Sequence, residues 1–276
     1  MRFSSFALPT SALALVAVGL SGQALTAKTY PSAPLEAAVS APTRTAANVA
    51  RDKYRKPAET LQFFGIKPTD HVVEIWPGGG WYTEILAPYL RDQGRLTVVT
   101  PPGRATENIA KKLTADNATY GKVMQANFPS VLGGTGIAPG TADAVLTFRN
   151  VHNWRMGAYN KDMDYSESAF AEIFAMLKPG GVLGIEDHRL PETMDTAKER
   201  SSGYMKVSTI RALAERAGFR FAGASEVNAN RRDTHDYPKG VWTLPPSYAE
   251  GDTDRAKYAA IGESDRMTLK FVKPAS

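Results

Sequence analysis

VVEIWPGGGWYTEIL, Val72 to Leu86, carries an apolar strand-like run into a helical pattern through three consecutive glycines. Strand, loop and helix in that order make a nucleotide-binding unit. Glycine has no Cβ, so Gly78, Gly79 and Gly80 let the backbone turn sharply and approach a ligand, while free N–H groups at the start of the next helix face it. Glu74, at the end of the strand, is placed to accept hydrogen bonds from the ligand's polar end.

The spacing sorts this turn from other glycine-rich turns. A dinucleotide site wants G-x-G-x-x-G, but Thr83 stands at the third glycine, and no Gly-Lys-Ser/Thr follows to make a phosphate loop. What remains is an acid, three residues, Gly, x, Gly. A second run, LKPGGVLGIEDHR from Leu177 to Arg189, reads as a helix end, a tight Pro-Gly-Gly turn and a strand. Between the two, TADAVLTFRNVHNW, Thr141 to Trp154, reads as a strand and the loop after it.

On these segments the chain resembles the class I S-adenosylmethionine-dependent methyltransferases, whose first motif is D/E-x-G-x-G-x-G, and the segments follow that family's order. Trp76, with Pro77 after it, stands where the pattern has its first glycine. STIRALAERAGFRF, Ser208 to Phe221, resembles the family's late helix and sixth strand, and DRMTLKFVKP, Asp265 to Pro274, its seventh. The likeness therefore covers nearly everything after about Thr43. It is strongest to a group of exported bacterial proteins described as predicted methyltransferases, with KPAETLQFFGIKP, Lys56 to Pro68, leading into the first motif.

The resemblance implies a Rossmann-like domain with a seven-stranded, mostly parallel sheet and helices on both faces. It implies S-adenosylmethionine as methyl donor, held by Glu74, Trp76, Gly78, Gly79 and Gly80. Where the family has an acid for the ribose hydroxyls, this chain has Thr100; where an acid reads the adenine amino group, it has Asn127. Both are neutral and weaken those contacts. Arg149 joins the donor-binding set and, with Asn150 and Trp154, stands beside His152 where a planar polar substrate could be clamped. Trp76, Trp81 and Tyr82 offer aromatic faces to a sulfonium; the alternative is that Trp81 and Tyr82 simply pack the first turn of a helix.

Three residues are candidates for acid–base work: His152, Asp187 and His188. His152 follows the fourth strand and the other two follow the fifth, on the edge where open α/β sheets bind ligands. An imidazole there can take a proton near neutral pH, or it can hold its own loop backbone. A metal bound by these three is not expected, since their spacing matches no ligand motif such as H-E-x-x-H.

Patterning agrees without the family. In DYSESAFAEIFAMLKPGG, Asp164 and Glu167 make an expected N-cap pair, and Phe170, Ile173, Phe174 and Leu177 share a helical face. Ile210, Leu213, Ala214 and Ala217 repeat the pattern before Gly218. Short apolar runs at Val72–Ile75, Leu96–Val99, Val123–Gln125, Ala144–Phe148 and Val182–Ile185 alternate with such helices, as in a parallel sheet covered on both faces.

The chain has 276 residues, a formal charge of +5 and no cysteine, which excludes disulfides and lipoprotein attachment. Lys and Arg are scattered, so nucleic-acid binding is not expected. Arg2, the apolar run Phe6 to Leu20 and small residues to Ala27 read as a secretory signal peptide over residues 1–27. Residues 28–43 read as a flexible leader and 44–276 as the methyltransferase-like domain, periplasmic or secreted, with no stable membrane insertion after cleavage. The reading is an exported enzyme acting on a small-molecule acceptor. The alternative is a non-catalytic ligand-binding protein on the same fold, and a nicotinamide oxidoreductase comes third, disfavoured by Thr83 and the Leu-Lys-Pro-Gly-Gly turn.

Overall fold

The computed structural model describes Met1 and residues 33–275. Of the two units into which the chain divides, Met1–Tyr30 and Pro31–Ser276, the second is described below. The expected signal peptide, Met1 aside, lies outside the described residues. Among the described residues no helix is long and apolar enough to cross a membrane.

Seven strands form one sheet: β1 (His71–Ile75), β2 (Arg95–Thr100), β3 (Met124–Asn127), β4 (Ala142–Phe148), β5 (Leu177–His188), β6 (Arg220–Ser225) and β7 (Arg266–Val272). Their order is β3-β2-β1-β4-β5-β7-β6, and only β7 runs antiparallel to its neighbours. The central strands are buried on both faces, so their side chains sort by parity. Val73, Ile75, Val145, Leu183 and Ile185 enter a core with the helices Ser166–Met176 and Val207–Arg216. Val72, Val98, Ala144 and Leu146 enter the opposite core, with Pro57–Phe64, Thr83–Leu90 and Arg104–Ala115. This is the expected doubly covered sheet, and every expected strand is present.

Three local expectations are corrected. The segment after Leu177 was expected to turn before its strand, but β5 runs through Lys178-Pro179-Gly180-Gly181. Leu177 pairs with Ala142, and Gly180 and Gly181 exchange hydrogen bonds with Lys273 at 2.9 Å each, so the backbone stays paired. The Asp164–Glu167 capping pair is half formed. Asp164 accepts from the Ser166 N–H at 2.9 Å, but Glu167 turns to Arg216 at 3.1 Å. Of the leader expected over residues 28–43, residues 28–32 lie outside the described residues and Ala33–Val39 form a helix, with Leu35 and Ala38 buried against Thr83–Leu90 and Pro57–Phe64. Arg44 secures its end by donating to the Val39 carbonyl at 2.7 Å and gripping Asp52 with both terminal nitrogens.

The strand order reverses between β1 and β4, because the chain moves outward through β2 and β3 and then returns. The carboxyl ends of β1, β4 and β5 consequently meet at one edge with their loops splayed apart, which is where such sheets hold ligands.

Candidate functional site

Two cavities, of about 240 Å³ and 300 Å³, lie at this edge. The smaller lies over the glycine turn and is lined by Glu74, Trp76, Gly78, Gly79 and Asn150. The larger is lined by His152, His188, Trp242 and Ser264. Arg51, Arg55 and Arg149 line both.

The glycine turn divides its labour. A Cβ added to Gly78 or Gly79 would meet nothing within 4 Å, so these two leave the backbone open toward the cavity. Gly80 does not line it. With φ at +79° it makes the turn itself, and an added Cβ would meet the Lys112 side chain at 2.7 Å. Glu74 is buried, and Thr83 donates to it at 2.6 Å. Thr83, the residue that breaks the dinucleotide pattern, is therefore what orients the acid. Burial pushes the Glu74 carboxyl up to about 7, against the opposing pull of Thr83, Lys112 and Arg149.

The residues expected to hold a nucleoside are engaged with one another. The Thr100 hydroxyl lies 2.8 Å from that of Thr106, and the Asn127 amide donates to the Thr106 hydroxyl at 2.8 Å and to the Thr100 carbonyl at 3.2 Å. Neither Thr100 nor Asn127 lines either cavity. Trp76 adopts φ +50°, unusual for a bulky residue, and its indole donates to the carbonyl of Phe128, just beyond β3, at 3.1 Å. Its ring packs edge-on against Trp154 and Tyr159. Trp76 thus stands against the loops where the resemblance puts the base, and Thr100 and Asn127 are bonded to each other through Thr106. Tyr82 stacks on Phe148 with centroids 3.5 Å apart, as a packed first turn would. Trp81 already carries the guanidiniums of Arg44 and Arg55 over its ring.

His152 and Asp187 meet across the β4 and β5 ends. Asp187 accepts from the backbone N–H of His152 at 3.2 Å and of His188 at 2.8 Å, and its carboxylate lies 2.7 Å from His152 Nδ1. A carboxylate so used accepts, so Nδ1 carries the ring proton and Nε2 keeps its lone pair. Among the described residues Nε2 has no hydrogen-bond partner, and the ring lines the larger cavity. Asp187 is fully buried and touches neither cavity; it positions the imidazole. His188 stands 5.1 Å from His152 by ring centroids, and its Nδ1 is hydrogen-bonded with the Ser264 hydroxyl at 2.5 Å. Burial, then the charge His152 carries once protonated and the charges of Arg149, Arg266 and Arg55, hold its pKa well below the ordinary histidine value and favour the neutral ring. Ligand atoms of His152, Asp187 and His188 come within 4.8 Å of one another. The surrounding arginines repel a cation there, and Asp187 is already committed to three N–H donors.

Arg149, at the end of β4, has φ +62°, and its N–H donates to the Glu186 carbonyl at 2.7 Å. Glu186 itself pairs with Arg266 at 2.9 Å. Sequence reasoning missed Arg51, Arg55, Glu263 and Arg266, which complete this cluster. The two pairs at four- and three-residue spacing were a signal, but nothing local says that β7 brings Glu263 beside a helix two hundred residues earlier.

No protein-family model matches the chain, and no curated protein matches it. Solved structures do. One is a SAM-dependent methyltransferase from Aquifex aeolicus, with 13% identity, 88% of this chain and 98% of that one covered, and a TM-score of 0.54. A second is the 4+2 cyclase SpnF, with 16% identity, 88% and 93% covered, and a TM-score of 0.58. A third is phosphoethanolamine N-methyltransferase 2 from Haemonchus contortus, in complex with S-adenosyl-L-methionine, with 16% identity, 80% of this chain and 53% of that one covered, and a TM-score of 0.53. The architecture is the Rossmann-like fold of class I methyltransferases. At these identities the likeness concerns the fold, and the cyclase among the three means that the fold alone does not name the reaction.

Proposed function

We propose that this protein is a methyltransferase that uses S-adenosylmethionine and acts on a small-molecule acceptor. One observation carries the reading: an open glycine turn beside a buried acid and an imidazole with a free lone pair line neighbouring cavities that share three arginines. The donor's polar end fits the smaller cavity, where the uncovered backbone of Gly78 and Gly79, Glu74, Asn150 and Arg149 would hold it. Its nucleoside end fits only if the Trp76 indole yields. When bound, S-adenosylmethionine supplies an electrophilic methyl group on a positively charged sulfur. The chain's own part is to place the acceptor and remove its proton. His152 Nε2 receives that proton, Asp187 holds the ring and steadies the charge it acquires, and neutral His188 beside it adds no competing charge.

Calorimetric titration with S-adenosylmethionine, its demethylated product and NAD tests the reading. Both sulfur compounds should bind and NAD should not. Gly79→Leu should weaken both by about a hundredfold, since a side chain there fills the cavity, while melting stays near wild type because no neighbour is displaced. If neither sulfur compound binds, the methyl-transfer reading falls and a ligand-binding protein on this fold takes its place. We also propose export, on the strength of the apolar run after Arg2. Sequencing protein from its native cell should give an N-terminus between Gln23 and Lys28, and an intact Met1 would reject it.

A further inference from the structure

We propose that the larger cavity is a site for a small planar molecule bearing an oxyanion, a carboxylate or a phosphate, docked on Arg149, Arg55 and Arg51. This names the class of acceptor and in that respect rests on the methyl-transfer reading.

The argument begins with charge. Four guanidiniums, of Arg51, Arg55, Arg149 and Arg266, gather around the two carboxylates of Glu263 and Glu186. Glu263 is shared three ways, at 2.6 Å from Arg51, 3.3 Å from Arg55 and 3.2 Å from Arg266. Glu186 pairs with Arg266. Asp187 is engaged by the His152 ring and by the backbone N–H groups of His152 and His188, and among the described residues no arginine pairs with it. Arg149 is left over: among the described residues its guanidinium has no ion pair and no hydrogen bond. It is nonetheless held in a backbone conformation that L residues rarely adopt, with its side chain on the wall common to both cavities.

Unneutralised positive charge in a largely buried place is costly unless something supplies the counter-charge. Arg55 registers that cost. Burial and then Arg149 push its pKa down to about 8, against the pull of Glu263. A guanidinium keeps its proton in proteins, so the depression reflects the strain of holding a charged group in a buried place beside Arg149. Planar guanidinium forks are matched to carboxylate and phosphate oxygens. Val241, Trp242, Pro245 and Pro246 add an apolar and aromatic lining to the same cavity, with the Trp242 ring 6.2 Å from that of His152. A flat molecule with its anion on the arginines would lie along Trp242 and present its other end to His152 Nε2.

The test uses the purified mature chain and calorimetric titration in chloride buffer of fixed ionic strength. The probes are benzoate, phenyl phosphate and uncharged benzamide. At least one of the two anions should bind about tenfold more tightly than benzamide. Arg149→Gln should remove that preference and Arg149→Lys should keep part of it, each with a cooperative melt. If Arg149→Gln does not fold, Arg51→Gln is read in the same way. Equal binding of benzamide, or undiminished anion binding by the glutamine variant, overturns the proposal. Anion binding should persist when S-adenosylmethionine is saturating. Mutual exclusion would mean that the arginines hold the donor's own carboxylate, which also overturns it. If an anion binds and S-adenosylmethionine does not, this site stands and methyl transfer falls; the reverse result rejects the site and leaves methyl transfer standing.

Discussion

Glu74 reads in the sequence as a hydrogen-bond acceptor at a strand end, and burial makes it a titrating group as well. Its folded pKa of about 7 lies above the ordinary glutamate value of 4.5, so the fold prefers the protonated carboxyl. The stability this contributes is complete below about 4.5 and is lost as pH rises to about 7. The loss is on the order of 3 kcal/mol. Glu74→Gln should remove it: urea unfolding at pH 5 and pH 8 should show a steeper decline in wild type than in the variant, and parallel declines would reject the assignment. Trp76 is the other decisive residue. If its indole stands in the way of the nucleoside, Trp76→Ala should raise affinity for S-adenosylmethionine by about tenfold, because the donor no longer has to displace a packed ring. The same change should cost about 2 kcal/mol of stability through lost packing and the lost bond to Phe128. Unchanged or weaker donor binding would show that the ring is part of the site.

Short elements place the residues that matter most. Ala46–Val49 and Asp52–Arg55 are four residues each, too short to be stable alone. They bring Asn48, Arg51 and Arg55 to the cavities because Arg44 grips Asp52 and Trp81 donates to the Asn48 carbonyl at 2.9 Å. The helix Ala33–Val39 lies upstream of that anchor. Leu35→Ala should lower unfolding free energy by about 2–3 kcal/mol, a value expected of a buried leucine. A change near zero in chemical denaturation would return the segment to the flexible leader its composition suggests. At the same edge, the last three residues of β5 have three tasks: Glu186 meets Arg266, Asp187 orients His152, and His188 lines the cavity.

Across the whole molecule, pH acts on the site from two sides. Burial would raise the Glu263 carboxyl, but Arg266 and Arg55, with the Arg51 hydrogen bond and Arg149, outweigh it and hold the group at about 2. Its contribution is present above 4.5 and is lost as pH falls toward 2, opposite in sign to that of Glu74. The strand-order reversal places these groups together. It brings the ends of β1, β4 and β5, the return of β7 and an N-terminal helix to one edge.

The sequence by itself determined the alternating elements, the glycine turn, the doubly buried sheet and the position of His152 on the ligand-binding edge. Each of these follows from local periodicity or from one residue's backbone needs, which neighbours along the chain are enough to fix. Only the tertiary structure decided that Thr83 holds Glu74, that Thr100 and Asn127 satisfy each other through Thr106, and that Trp76 reaches Phe128. It also decided that Arg51 and Arg55 share Glu263 while the Arg149 guanidinium has no ion pair and no hydrogen bond among the described residues. The physical reason is one of range: hydrogen bonds and ion pairs depend on which groups the fold brings within a few ångströms, and these partners stand from six to more than two hundred residues apart in the chain.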